Sequence, residues 1–281
     1  MRGKNSIKLI GFICVMMLSI CFGKKAVVQA TETMNVSLQP DQKYQYDVNG
    51  DGRAEQVLVK ISRHKDQDYS GTMRIFVDDK LAFSQRRKQD PCWSVNLIWL
   101  ENGAAFFDIS STIVSDDDCI HRLYACKNDK LKSVYDFQKY YSAYGDYYFV
   151  TIKGISGNTL NTTVIAQFFT TGSISFDMDL HYEDGVFERE TDTFGLRYSK
   201  GENGRKNKWT AQRKLKVYSK AGEKTVAYTL KKGDVIKLNQ VIYKKNKVYF
   251  QVKKDGEKSG YLAASKNYKN MDSFKEAQFA G

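Results

Sequence analysis

Histidine is nearly absent. His64, His121 and His181 stand apart, and none has a second histidine or a carboxylate at the spacing that sets two zinc ligands on one helix face. The segment Gly154-Ile155-Ser156-Gly157 lacks the nucleophile-elbow pattern, so neither of the common hydrolase signatures is present. No base-reading motif is visible, which argues against nucleic acid as a partner. Beyond residue 30 no apolar run is long enough to span a membrane. Helical periodicity is also scarce; only the tail at 270–279 has a helix-like composition, or else is a frayed end. Proline occurs only at Pro40 and Pro91, leaving the chain free to run in extended segments.

Cysteine is sparse as well, and its positions bear on compartment. Arg2, Lys4 and Lys8 precede an apolar stretch at 9–22, and Val28-Gln29-Ala30 supplies compact residues for cleavage, so residues 1–30 read as a secretory signal peptide. A lipoprotein reading would acylate Cys21, but Ile20 before it is bulky where a small residue is wanted. Cleavage removes Cys14 and Cys21 and leaves Cys92, Cys119 and Cys126, an odd number that excludes a fully paired disulfide framework. Cys119 and Cys126, seven apart on one strand, would sit roughly 23 Å from each other and cannot bridge. A Cys92–Cys119 pair stays open.

What is abundant is Tyr, Phe, Val, Ile and Thr in short alternating runs, with turn dipeptides about every ten residues. The expected fold class is all-β, with strands at 56–61, 73–77, 95–100, 104–109, 120–126, 131–137, 147–152, 162–169, 173–182, 214–218, 234–238 and 248–252. Charge divides the chain. Residues 31–205 hold 20 Lys and Arg against 26 Asp and Glu, whereas residues 206–281 hold 19 against 6. Such asymmetry points to two domains, at 31–205 and 206–268 with a tail at 269–281, and the basic one needs an anionic partner.

Within the acidic part a strand-turn-strand pattern recurs. Val77-Asp78-Asp79-Lys80-Leu81, Lys127-Asn128-Asp129-Lys130-Leu131 and Tyr182-Glu183-Asp184-Gly185-Val186 keep step with Asn49-Gly50, Asn102-Gly103 and Ser156-Gly157, each placed ahead of the first strand pair of its unit. Three units of about four antiparallel strands fit blades of a partial propeller; a β-sandwich with fortuitous hairpins is the other reading. The first unit carries Asp47-Val48-Asn49-Gly50-Asp51-Gly52-Arg53-Ala54-Glu55, with oxygen side chains at alternate places and glycine at the sixth. Such a loop can wrap one calcium ion, although Leu58 stands where an EF-hand needs its bidentate Glu. A plain Asn-Gly/Asp-Gly hairpin turn needs no metal. The three acids at 116–118 point different ways on an extended chain and read as a solvated loop.

Loop and following strand together resemble the calcium-loop blade of integrin-type (FG-GAP-like) and VCBS-like repeats of secreted bacterial proteins. The resemblance covers about 44–140 and implies Asp47, Asn49, Asp51, Arg53 (through its carbonyl) and Glu55 as calcium ligands. At 210–265, the segments Leu215-Lys216-Val217-Tyr218, Leu230-Lys231-Lys232-Gly233-Asp234-Val235, Val248-Tyr249-Phe250-Gln251-Val252 and Gly260-Tyr261-Leu262 are similar to the bacterial SH3-like (SH3b) domain, a small five-stranded barrel. Two departures stand out: Lys216-Val217-Tyr218 replaces the usual Asn-x-Arg segment, and Tyr249 and Tyr261 replace tryptophans. This resemblance implies attachment to peptidoglycan or another wall polymer. Lys244, Lys245, Lys247, Lys253, Lys254 and Lys258, interleaved with Tyr218, Tyr243, Tyr249 and Tyr261, are the residues expected to hold an anionic polymer and stack on its sugars; solvated lysines on a soluble barrel are the plainer reading.

The expectation is a non-catalytic, secreted, wall-associated binding protein, retained non-covalently, whose acidic region binds calcium and an unknown partner such as another secreted protein. The alternative is a secreted hydrolase acting on cell-wall or polysaccharide substrate, since a glycosidase carboxylate pair has no fixed spacing in sequence.

Overall fold

The computed structural model describes residues 33–65, 69–113, 120–139, 147–197, 207–245 and 247–279. The expected signal segment, the acids at 116–118, Cys119 and the polar stretch 199–206 lie outside the described residues, and Cys92 is a free, exposed thiol. With 63% strand and no α-helix the protein is all-β, and its sheets are antiparallel and open. No helix among the described residues is long and apolar enough to cross a membrane.

Three four-stranded meanders occupy the acidic part. The first is β2 (Lys43–Tyr46), β3 (Glu55–Arg63), β4 (Gly71–Val77) and β5 (Lys80–Arg87). The second is β6 (Cys92–Trp99), β7 (Ala105–Thr112), β8 (Ile120–Lys127) and β9 (Lys130–Asp136), with β1 (Met34–Ser37) added against β6. The third is β10 (Tyr147–Ser156), β11 (Thr159–Phe168), β12 (Gly172–Glu183) and β13 (Val186–Arg189).

Alternation sets the layers. Val57, Val59, Met73, Ile75 and Val77 of the first sheet pack on Val95, Leu97, Trp99, Phe107 and Ile109 of the second. The opposite face of the second sheet, with Ile98, Phe106, Leu123, Tyr135 and Phe137, packs on Val150, Leu160, Val164, Phe176 and Met178 of the third. The middle sheet is therefore apolar on both faces, and the run at 95–100 reads as almost continuously hydrophobic. Each fully buried side chain of this kind contributes about 1.5–3 kcal/mol.

The repeat seen in sequence is visible as turns. Asp78 and Asp79, Asn128 and Asp129, and Asp184 and Gly185 link the third and fourth strands of their units, all at positive φ. Two successive left-handed residues make the tight hairpin whose twist suits the flanking strands, and Asp, Asn and Gly tolerate that conformation best. The Gly50, Gly103 and Gly157 turns lie between the first and second strands of their units, not ahead of the first strand pair. The offset arises because β2 is four residues of half-exposed Lys-Tyr-Gln-Tyr without an apolar run. The first two units are tied at both ends, and the second is tied to the third at the glycine-turn end. Trp99 Nε1 donates to the Asp47 carbonyl at 3.1 Å and the Glu101 N–H to that of Gly157 at 3.1 Å. At the far end Lys80 meets Asp129 at 2.6 Å, and Lys130 donates to the Leu81 carbonyl at 2.6 Å.

The basic part does not stand apart in hydrogen bonding. β14 (Thr193–Arg197) pairs β12 on one side and β18 (Val235–Lys244) on the other, so one sheet runs through both parts. It continues through β19 (Lys247–Lys254), β20 (Gly260–Ala263), β16 (Leu215–Tyr218) and β17 (Val226–Leu230), with β15 (Trp209–Thr210) on β18. The core is continuous too: Phe168 meets Phe250 edge-on at 5.2 Å, and Phe194 meets Tyr243 at 5.8 Å.

The tail is neither an α-helix nor frayed. After one 3-10 turn at Tyr268–Asn270, Phe274 inserts its ring beside Trp209 and bridges Ala211, while Glu276 accepts from the Thr210 N–H and hydroxyl at 2.6 and 2.7 Å. Its composition suits a helix, but burial of Phe274 and these bonds to β15 outweigh so weak a local preference. Gln278 then docks on Gly172, whose φ is +67° and where a Cβ would lie 2.3 Å from the Gln278 carbonyl oxygen, a place only glycine can fill.

Candidate functional site

The turn between β2 and β3 is organised by its own carboxylates. Asp47 accepts from the N–H groups of Gly50 and Gly52 at 2.7 and 2.8 Å, Asn49 Oδ1 from Asp51 at 2.8 Å, and Asp51 from Arg53 at 2.9 Å. These are chained side-chain-to-backbone turns, and the glycines sit at φ +79° and +83°. Glu55, opening β3, is 6% exposed; it accepts from the Val48 N–H at 3.0 Å and from Asn49 Nδ2 at 3.2 Å. One oxygen each of Asp47, Asp51 and Glu55 can be found within 4.8 Å of one another. Burial pushes the Glu55 carboxyl above its usual range; the Val48 N–H opposes this, and the charges of Asp51, Asp47 and Asp78 reinforce it.

Of the five residues predicted as calcium ligands, the fold brings Asp47, Asp51 and Glu55 together. Asn49 spends its oxygen on the Asp51 N–H and turns its amide nitrogen toward Asp51 and Glu55. Arg53 is exposed, its N–H held by Asp51. Cys126 lies near this loop, its thiol raised to about 11 by burial first and by the charges of Glu55 and Asp129 second.

The second grouping is on the basic part. Ile236, Leu238, Val241, Phe250, Val252 and Val217 turn into the core, so alternation puts the residues between them outside. Pairing then places Lys237 opposite Lys253, Gln240 opposite Gln251, Gln251 beside Tyr261, and Tyr261 beside Tyr218. The same face carries Ile242 and Tyr249, which pack with Ala221 and Tyr261 in a small cluster separate from the main core. Like charges directly opposite one another destabilise a strand pair, and both Lys237/Lys253 and Lys244/Lys247 are such pairs.

The predicted polymer-binding residues fall into three groups. Lys244, Lys245, Lys247, Lys253 and Lys258 are exposed and form no ion pair with a described residue. Lys254 is half-buried and committed to Asp234 at 2.8 Å, a contact that, with the Lys231 N–H, holds the Asp234 carboxyl below its usual range. Tyr249 is 6% exposed, leaving Tyr261 and Tyr218 as the more open rings, whereas Tyr243 faces the core beneath Arg189. Sequence reasoning passed over Lys216, Lys237, Gln240 and Gln251; alternation about Val217, Leu238 and Phe250 was the signal for Lys216, Lys237 and Gln251, whereas the bulge between Leu238 and Gln240 hid Gln240.

The histidines are separated. His64 bonds Thr72, His181 bonds Thr159, and His121 lies 2.7 Å from Asp108, with no Cys–His contact among the described residues. Compared with protein-family models, curated proteins and solved structures, the chain matches none.

Proposed function

We propose that this is a secreted, cell-envelope-associated binding protein without catalytic activity. In this reading residues 206–268 form an SH3-like barrel that tethers the protein to peptidoglycan or an anionic wall polymer. Residues 31–205 are a partial propeller that binds one calcium ion in the 47–55 loop and presents a surface to another molecule. The observation that carries the reading is the face of β16, β18, β19 and β20. There, lysines without acidic partners and half-open tyrosines and glutamines lie together, and cross-strand lysines are held at a cost an anion would repay. Rings beside amides and ammonium groups suit a chain of sugars and phosphates.

The calcium part rests on three convergent carboxylates of which one is buried, none forming an ion pair with a described residue. A divalent cation would offset the mutual repulsion, with Asp47, Asp51 and Glu55 as ligands. Co-sedimentation of the whole protein with purified Gram-positive cell walls tests the tether. Binding at low salt, released at about 0.5 M where screening shortens to a few ångströms, is expected; no sedimentation at low salt would overturn it.

A further inference from the structure

Between the second and third sheets the packed interior opens into a cleft of about 350 Å³. On the face of the second sheet that is apolar at Ile98, Phe106 and Leu123, the next residues outward are Asn96, Asp108 and His121, and beyond them Ser94 and Ser110. The opposite wall is β10, with Phe149, Val150, Thr151 and Ile152.

Asp108 is only 6% exposed, and both of its oxygens are matched: His121 Nε2 at 2.7 Å on one, Asn96 Nδ2 at 3.1 Å on the other. The ring of Phe137, 4.4 Å away, fixes the imidazole in this pose. With Nε2 committed to the carboxylate, Nδ1 is the ring nitrogen that makes no hydrogen bond to a described residue. The hydroxyls of Ser94, Ser110, Thr112 and Thr151 line the same space and make no hydrogen bond to a described residue.

The chemistry selects a ligand class. No lysine or arginine is among the described residues that line the cleft, so it does not suit phosphate or carboxylate, unlike the basic face. A cation finds Asp108, the one carboxylate among the described lining residues, already satisfied. What remains are groups that both donate and accept, and a Phe149 ring that is 41% exposed at the rim. Its volume lies at the lower end of small-molecule sites, about 300–1,000 Å³.

We propose that this cleft binds a short neutral oligosaccharide, with His121, oriented by Asp108, accepting one sugar hydroxyl and the serine and threonine hydroxyls ordering the rest. The site is independent of the basic face. It is tested with the full-length protein labelled with 15N-histidine, titrating chitotetraose, cellotetraose and maltotetraose. At least one should move the His121 ring resonances saturably while those of His64 and His181 stay in place. Ser110→Val should weaken that affinity roughly ten-fold, about the worth of a hydrogen bond, with an unchanged melting temperature. Ser94→Leu, at an exposed position, should weaken it too. No movement with any of the three at ~10 mM, above even weak millimolar affinity, would overturn the proposal. So would saturation by inorganic phosphate instead, or affinity unchanged in both variants.

Discussion

The acidic and basic parts of this protein differ in what their charges do, though not in what holds them together. In the acidic part carboxylates sit in turns and bond backbone N–H groups, as Asp47 does, or bridge neighbouring units, as Asp129 does to Lys80. In the basic part most of the named lysines lie on one sheet face without acidic partners, Lys254 being the exception. Yet β14 stitches the two into one sheet, and Phe168 touches Phe250 across them. Charge segregates where solvent is; packing does not follow it.

A second contrast lies inside the acidic part. The first two strands of each unit are joined at 47–54, at 100–104 and at Gly157 with Asn158. The shorter two turns close with a positive-φ glycine and an asparagine, and no carboxylate cluster. A short hairpin thus closes without carboxylates, whereas the longer first loop uses its own to hold its backbone N–H groups.

The comparison breaks first if the two parts unfold separately. Phe250→Ala should cost about 3–5 kcal/mol and lower one calorimetric transition for the whole protein; a variant that melts only part of the heat signal would show two independent units. Gly172→Ala, which forces a side chain at φ +67° against the Gln278 backbone, should cost about 2 kcal/mol and free the tail to proteolysis first. Calcium at a hundred times its dissociation constant should add about 2.7 kcal/mol, read as a rise in melting temperature that Asp51→Ala abolishes while Asn102→Ala, in the second turn, does not.

Smaller still is the pH effect at Glu55. Its folded value lies above its ordinary one, so the folded state holds the proton more tightly, and stability is gained below the ordinary value and lost as pH rises through the folded one. Without calcium, Glu55→Gln should melt higher than the parent near neutral pH, and the gap should close as pH falls into the carboxylate range. Least in energy is thiol reactivity. Iodoacetamide should label exposed Cys92 and spare buried Cys126, whose thiol stays protonated until about pH 11, as read by mass spectrometry.

Much of the fold was legible because apolar alternation is a local signal. Each of the twelve expected strands overlaps an observed one and overruns it by one residue at most, and the Asp-Asp, Asn-Asp and Asp-Gly turns marked the repeat. Of the strands that escaped, β1, β2, β13, β14 and β15 are two to five residues long, several alternating half-buried with exposed positions, and the longer β5 (Lys80–Arg87) is mostly polar and buries only Ala82 and Arg87. The joining of the two parts through β14 was invisible for a different reason: Thr193↔Ile242 is a pairing between distant residues, and nothing local announces it. Of the candidate sites, the 47–55 loop could be read because its residues are contiguous. The Asp108–His121 pair could not, because its members come from adjacent strands whose register only the fold supplies.

The most direct measurement is the affinity of the whole protein for polyglycerol phosphate as a function of salt, for the parent and for Lys237→Glu/Lys253→Glu. The account predicts an affinity that falls steadily with salt in the parent, and a weaker, flatter dependence in the double variant with the melting temperature preserved. Affinity indifferent to salt, or identical in the two proteins, would contradict it.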